Sequence, residues 1–140
     1  MIHLTFITIG DLPRGAFSEI GAEYKKRLSQ YVKLDHKVLK SSETIEKSIP
    51  AESYTVILDA AGKSVGSKFF SQRVGTIEDQ GQHVTVILGG PKGLSDEIKS
   101  RADLLLSLSP MTTTHDLAHL FFLEQLYRAF TILRGKEYHY

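Results

Sequence analysis

Short apolar segments alternate with amphipathic ones along the chain, and this pattern predicts an α/β fold. Residues 2–9 alternate between apolar and polar positions and are rich in β-branched side chains, so they predict a first strand. Residues 54–58 and 84–88 are continuous apolar runs, the pattern of strands that are covered on both faces. Weaker patterns predict two further strands over 33–39 and 104–106.

Helices are predicted between these strands. Apolar residues recur at three- and four-residue steps from Phe17 to Tyr31 and again from Phe70 to Ile77. A further helix begins at Ser95, which is a favoured N-cap residue and precedes two carboxylates that suit the helix dipole. Parallel neighbouring strands need crossovers, and helices supply them. We therefore expect a mostly parallel sheet with helices on both faces.

The last predicted helix, residues 117–133, is apolar on more than one side. A helix of this kind must be covered on more than one side. The pattern is compatible with two partners that would cover the second apolar side, namely a second copy of the chain in a two-fold dimer or the N-terminal helix. One stripe consists of Ala118, Phe122, Leu126, Ala129 and Leu133, and the apolar or aromatic residues outside it are Leu117, Leu120, Phe121 and Tyr127.

Composition narrows the range of functions. A chain of 140 residues predicts one domain, residues 1–140. The absence of cysteine excludes disulfides, thiolate metal sites and a cysteine nucleophile. His115 and His119 are the one histidine pair at i, i+4, and no H-E-x-x-H motif is present, so we expect no bound metal. The pattern predicts neither a signal peptide nor a membrane span, which favours a cytoplasmic protein.

Charge and two loops point to the kind of ligand. With 17 Lys plus Arg against 16 Asp plus Glu, any contact with nucleic acid must be local. The glycine-rich residues 89–95 and the uncharged, hydroxyl-rich residues 108–113 each follow an apolar strand. Loops at the carboxyl ends of strands in open α/β sheets converge on a ligand crevice. The glycine loop fits neither G-x-x-x-x-G-K-[ST] nor G-x-G-x-x-G, so a neutral ligand such as an adenosine is favoured over a polyphosphate.

Motifs in a fixed order over nearly the whole chain carry a family resemblance. They are Leu58-Asp59 with Gly62-Lys63, I-L-G-G-P-x-G-L over 87–94, L-S-L-S-x-M-T over 106–112, His115, E-Q-x-Y-R-A over 124–129, and Tyr138-His139. Together they resemble the RlmH family of ribosomal RNA large-subunit methyltransferases, which belongs to the SPOUT class. The resemblance is most specific in the C-terminal half of the chain.

The resemblance implies a fold, a cofactor and a partner. It implies a C-terminal deep trefoil knot, a bent S-adenosylmethionine held by the threaded loops, and a homodimer. It also implies methylation of N3 of a pseudouridine in 23S ribosomal RNA within the assembled ribosome. Carried over by position, the donor-binding residues would be Leu58, Gly89, Leu108, Ser109, Pro110, Met111, Thr112 and Thr113.

The resemblance also suggests catalytic residues. His115, beside the second loop, is the first candidate for proton acceptor or substrate positioning, and Tyr138 and His139 from the tail of the partner chain are the second. The alternative for His115 is a loop histidine that caps the last helix. Two other functions stay open, namely a ribosome-associated binding or assembly factor without catalysis and a SPOUT enzyme that acts on transfer RNA.

Three positions depart from the family pattern. The family usually has proline before the histidine, arginine four residues after it, and a basic final residue, where this chain has Thr114, His119 and Tyr140. The loss of two cations would weaken RNA binding. We expect His119 to regain charge at mildly acidic pH.

Overall fold

A computed structural model describes residues 1–138 of the chain. Its strands form one five-stranded sheet in the order β2-β1-β4-β3-β5, and every neighbouring pair is parallel. The predicted α/β class and all of the predicted strands are therefore confirmed. The strands are β1 (Ile2–Ile9), β2 (Val32–Leu39), β3 (Tyr54–Ser64), β4 (Val84–Leu88) and β5 (Leu104–Ser107).

Helices connect the strands as predicted. Ser95 caps the helix that follows β4, with its Oγ accepting a hydrogen bond from the amide of Ile98 at 3.3 Å. A short 3₁₀ turn, Ser42–Thr44, follows β2. The helices are α1 (Ala16–Leu28), α2 (Ile45–Ser48), α3 (Ser67–Gln80), α4 (Asp96–Lys99) and α5 (His115–Leu133).

Both faces of the sheet are covered, but unequally. On one face, α1, α3 and α5 bury the larger core, in which Phe6, Phe122 and Phe130 are among the largest enclosed side chains. On the other face, the short helices α2 and α4 contribute Ile45 and Ile98 to a smaller cluster of isoleucines. All five residues of β4 are buried, because this central strand has helices on both sides.

β3 runs further than the apolar pattern predicts. After Leu58 the strand leaves the regular ladder, and it returns to pair Lys63 with Leu106 and Ser64 with Ser107 of β5. Gly62 lies within this irregular part, where an added Cβ would meet the carbonyl oxygen of Leu105 at 2.6 Å. Glycine is therefore required where the two backbones come this close.

The N-terminal helix α1 packs against α5. Leu120 lies beside Gly21 of α1, and the ring of Tyr127 packs beside that of Tyr24. The N-terminal helix thus covers part of the second apolar side. Leu117 and Phe121 stay 48% and 42% exposed, so a further apolar strip of α5 is uncovered in the single chain.

Over residues 1–138, no helix combines the length and the apolar character that crossing a bilayer requires.

Candidate active site

One large cavity, which we call the loop pocket, opens beside the irregular part of β3 after Leu58 and at the carboxyl ends of β4 and β5. Its volume is about 720 Å³, within the range of small-molecule sites. The glycine loop after β4 forms one wall, the segment between β5 and α5 forms the other, and the first turns of α5 complete the lining. The two loops singled out in the sequence therefore face the same cavity.

Most of the residues expected to bind the methyl donor line this pocket. Pro110 is not part of the lining, although its neighbours on both sides are. Met111 lines the pocket but is 80% exposed, so it lies at the mouth. The expected residues in the lining are Leu58, Gly89, Leu108, Ser109, Met111, Thr112 and Thr113, and the expected catalytic residue is His115.

The glycine loop is held in a tight turn. The amide of Gly93 donates to the carbonyl of Gly90 at 2.9 Å, and Gly93 has a φ of +72°, which disfavours other residues. A Cβ added at Gly89 would come within 2.8 Å of Leu94 Cγ. A side chain at Gly89 would therefore displace the loop that forms one wall of the pocket.

The second loop ends in a helix cap. The amide of Met111 donates to Ser109 Oγ at 3.1 Å, and Thr114 Oγ1 accepts from the amide of Leu117 at 3.3 Å. Thr114 is thus the N-cap of α5, and His115 is its first helical residue. The interpretation of His115 as a capping histidine is wrong, because the threonine before it already supplies the cap.

An ion pair that sequence reasoning missed lies in the pocket wall. Lys99 Nζ lies 2.6 Å from Asp59 Oδ2, and both residues line the cavity. Two hydrogen bonds hold the pKa of Asp59 below its usual value. The one from Lys99 has the larger effect, and the one from the amide of Ala61 has the smaller. The same contact raises the pKa of Lys99. Asp59 directly follows an apolar strand run, which is a usable signal, but nothing in the sequence marked Lys99.

His115 is the nitrogen base in the pocket lining. Its Nε2 lies 3.3 Å from Asp116 Oδ1, and its side chain is 31% exposed. An imidazole at the edge of a mostly neutral cavity has access to both a bound ligand and solvent. The geometry therefore permits proton transfer or hydrogen bonding to a substrate at the pocket mouth.

Comparison with known proteins identifies the family. The family described as "Predicted SPOUT methyltransferase" matches residues 2–139. A ribosomal RNA large subunit methyltransferase H from Desulfotalea psychrophila is 37% identical, over 95% of this chain and 96% of the relative. The protein of the same name from Maridesulfovibrio salexigens is also 37% identical, over 100% of this chain and 99% of the relative. The chain belongs to the SPOUT methyltransferase family.

Solved structures support the fold of this SPOUT methyltransferase. A probable methylase family protein from Haemophilus influenzae superposes with a TM-score of 0.60 at 12% identity, over 96% of this chain and 66% of that one. A probable methyltransferase from Bordetella pertussis gives a TM-score of 0.57 at 12% identity, over 90% of this chain and 95% of that one. At such low identity the likeness concerns the fold alone.

Tyr138, the last described residue of this SPOUT methyltransferase, packs against α1 and α5 and is not part of the lining of its own chain's loop pocket. The Tyr138 hydroxyl lies 3.0 Å from that of Tyr24, and the Arg128 guanidinium lies over the Tyr138 ring at 5.1 Å. Arg128 in turn donates to Glu124 at 2.7 Å. Burial, together with the hydrogen bond to Tyr24, raises the pKa of Tyr138 well above its usual value. His139 lies outside the described residues.

His119 does not regain charge as expected. It is only 3% exposed and packs edge-on against Phe6, with ring centroids 5.0 Å apart. Burial lowers its pKa to about 4, and the charges that His36 and Lys25 carry when protonated act in the same direction. The imidazole therefore stays neutral at mildly acidic pH and cannot replace a surface cation.

Proposed function

We propose that this SPOUT methyltransferase transfers a methyl group from S-adenosylmethionine to N3 of a pseudouridine in 23S ribosomal RNA, on the assembled ribosome in the cytoplasm. The observation that carries the proposal is the loop pocket, in which the two loops quoted for the RlmH resemblance face one cavity. The relatives at 37% identity, which are named ribosomal RNA large subunit methyltransferases, support the choice of RNA.

The loop pocket suits the methyl donor in size and charge. Its walls are backbone, small hydroxyls and apolar side chains, and the Asp59–Lys99 pair is internally neutralised. We propose that Leu58, Gly89, residues 108–109 and residues 111–113 hold the adenosine part through backbone contacts and apolar surface. When bound, the donor supplies a methyl group on a sulfonium, which is a strong electrophile.

We propose that His115 positions the base and accepts its proton. The N3 proton of pseudouridine is weakly acidic, so a nitrogen base at hydrogen-bond distance suffices for its removal. Alignment of the nitrogen with the methyl group supplies the rest of the rate enhancement. Pro110 has no assigned contact, and in this proposal it shapes the loop rather than touching the donor.

We also propose that the chain is threaded into the deep trefoil knot of its family. The support comes from β3, which pairs with β5 on both sides of an irregular segment, and from Gly62, which lies against the Leu105 backbone. A close backbone approach at this point fits a segment that passes through a loop and is then held there.

The functional unit that we propose is a homodimer. Leu117 and Phe121 form an exposed apolar strip on α5, and Phe121 also lines the loop pocket. A second copy on this strip would bring the partner's Tyr138 and His139 toward the pocket, where they would help to bind RNA or to move the proton. Light scattering in solution should give the mass of two chains, and the mass of one would contradict this assembly.

Donor binding is the first test. Isothermal titration with S-adenosylmethionine should show one site per chain, and Gly89→Arg should abolish it because the new side chain displaces the glycine loop. The matched control is Gly66→Arg, since a Cβ at Gly66 meets nothing within 4 Å and this glycine does not line the pocket. If the wild-type protein does not bind the donor, the result would favour the alternative function of a non-catalytic assembly factor.

The RNA substrate is the second test. Purified protein and labelled donor should methylate 23S RNA in intact ribosomes from cells that lack the enzyme, and mapping should locate the methyl group on a pseudouridine. Label in transfer RNA instead would favour the alternative SPOUT activity. Donor binding without label in either RNA would contradict the proposed reaction.

A further inference from the structure

A second cluster of ligand-type side chains lies away from the loop pocket, and we call it the histidine cluster. It consists of Asp11 after β1, His36 in β2 and His119 in α5. One carboxylate oxygen of Asp11 and one ring nitrogen of each histidine all lie within 4.8 Å of one another. None of the three residues lines the loop pocket.

Hydrogen bonding fixes the tautomer of His36. Thr8 Oγ1 donates its one proton to the carbonyl of Gly10 at 2.7 Å, so it must accept at its 2.8 Å contact with His36 Nε2. The Nε2 atom of His36 therefore carries the hydrogen, and Nδ1 presents a lone pair. Metal-binding histidines typically donate their second ring N–H to an oxygen in this way.

The lone pair of His36 already faces a cation. Lys25 Nζ lies 2.7 Å from His36 Nδ1, and the Asp11 carboxylate acts on the same ammonium group. Burial lowers the pKa of Lys25, with the charge of Asp11 opposing that effect. Lys25 reaches this position from α1 and is only half-buried, so its flexible side chain can turn out to solvent.

His119 adds a buried nitrogen that lacks a partner. Its residue is 3% exposed, and within residues 1–138 its Nε2 has no hydrogen-bond partner. A buried polar atom left without a partner is costly. The pKa of His36, like that of His119, is lowered to about 4, mainly by burial. Both rings are therefore neutral near pH 7, the form in which histidine binds metals.

We propose that Asp11, His36 and His119 bind one divalent transition-metal ion, with Zn²⁺ as the best-suited ion, in place of the Lys25 ammonium. Two imidazole nitrogens and one carboxylate oxygen form a set that zinc accepts, with a fourth position left for water. This inference departs from the sequence expectation of no metal. It is independent of the proposed methyltransferase reaction.

Binding needs only a small contraction of the cluster. Ligand atoms at about 2.0–2.1 Å from a tetrahedral zinc ion lie about 3.3 Å apart. The three groups belong to a loop, a strand and a helix, and side-chain rotation can bring them from within 4.8 Å to that spacing. Lys25 must leave, because its ammonium occupies the side of His36 Nδ1 that the ion would take.

Metal titration of the full chain tests this site. Protein stripped with a chelator should bind one equivalent of Zn²⁺ by calorimetry, and Co²⁺ should give the visible absorption bands of a low-coordinate site. His119→Arg and His36→Gln should each lower the affinity at least 100-fold. Lys25→Met should raise it about tenfold or more, because it removes a competing positive charge.

The matched control is His83→Ala, which removes a histidine that stacks on His3 and contacts Thr5. Affinity should be unchanged in this variant. The proposal is overturned if the stripped wild-type chain binds neither ion, or if either cluster variant that remains folded by circular dichroism keeps wild-type affinity. If His119→Arg fails to fold, the Zn²⁺ affinity of His36→Gln alone tests the proposal. Weaker binding by Lys25→Met would also overturn it.

Discussion

The loop pocket and the histidine cluster lie next to the same stretch of α5, but they are built from different chemical groups. The pocket, with His115 at its edge, is made mainly of loop backbone, small hydroxyl side chains and apolar side chains. The cluster, around His119, is made of titratable side chains from three elements. About one helical turn separates His115 of the pocket from His119 of the cluster.

We expect the two regions to tolerate different substitutions. Beside the pocket the constraint is steric at two glycines, because a methyl group added at Gly89 would meet Leu94 of the loop and one added at Gly62 would meet the backbone of β5. In the cluster the constraint is electrostatic, since Lys25 and two imidazoles share a partly buried space. We therefore expect changes in side-chain volume to disrupt the pocket, and changes in charge or pH to disrupt the cluster.

The largest effect should come from Gly62→Ala, which tests the steric side of the comparison. The new Cβ would lie 2.6 Å from the Leu105 oxygen and 2.9 Å from the Leu106 nitrogen, both of them backbone atoms of β5. We expect a loss of about 3 kcal/mol in the free energy of unfolding, measured by urea denaturation.

Gly66→Ala is the control for that experiment. Gly66 has an ordinary extended backbone, and a Cβ there meets nothing within 4 Å, so its stability should change by less than about 0.5 kcal/mol. Equal stability of the two variants would show that β3 and β5 separate easily at Gly62.

His115→Ala should have the next largest effect, on catalysis rather than on stability. Loss of a general base costs at least about 100-fold in rate, which corresponds to about 2.7 kcal/mol. Because the donor is held mainly by the two loops in our proposal, its dissociation constant should change less than threefold. Single-turnover methylation and calorimetry separate the two quantities, and an unchanged rate would exclude His115 as the proton acceptor.

A lower pH should destabilise the folded protein through the histidine cluster. The imidazoles of His36 and His119 titrate near pH 6.5 in the unfolded chain and near pH 4 in the folded one. Their stabilising contribution is complete above pH 6.5 and is lost as the pH falls through about 4. We expect about 2 kcal/mol less stability at pH 5 than at pH 7, after allowance for solvent near His36.

A chelator must be present in that titration, so that bound metal does not protect the histidines. His119→Phe should reduce the pH dependence, because it keeps a ring against Phe6 and removes one titrating group. His115→Ala should leave the pH dependence unchanged. If the free energy of unfolding of the wild-type chain does not change between pH 7 and pH 5, the two imidazoles are not held neutral in the folded protein.

Sequence patterns predicted the fold well, because its strands are local apolar runs and parallel pairing follows from the helices between them. They also led us to expect one pocket for both loops, since each loop follows the carboxyl end of a strand. The extension of β3 to Lys63 and Ser64 was missed because these residues are polar and form a strand only by pairing with β5. The cluster of Asp11, His36 and His119 was missed because folding brings together residues that share no sequence spacing.

The smallest effect should come from Thr114→Ala, at the residue that links the two regions. Thr114 Oγ1 accepts from the Leu117 amide at 3.3 Å and fixes the start of α5, which carries both His115 and His119. Loss of the cap should cost about 0.5–1 kcal/mol in the free energy of unfolding, and Thr114→Ser should restore most of it. Because Thr114 lines the loop pocket and fixes the start of the helix that carries His119, affinity for the donor and for Zn²⁺ should fall together by a few-fold. A change in only one affinity would show that the start of α5 does not couple the two regions.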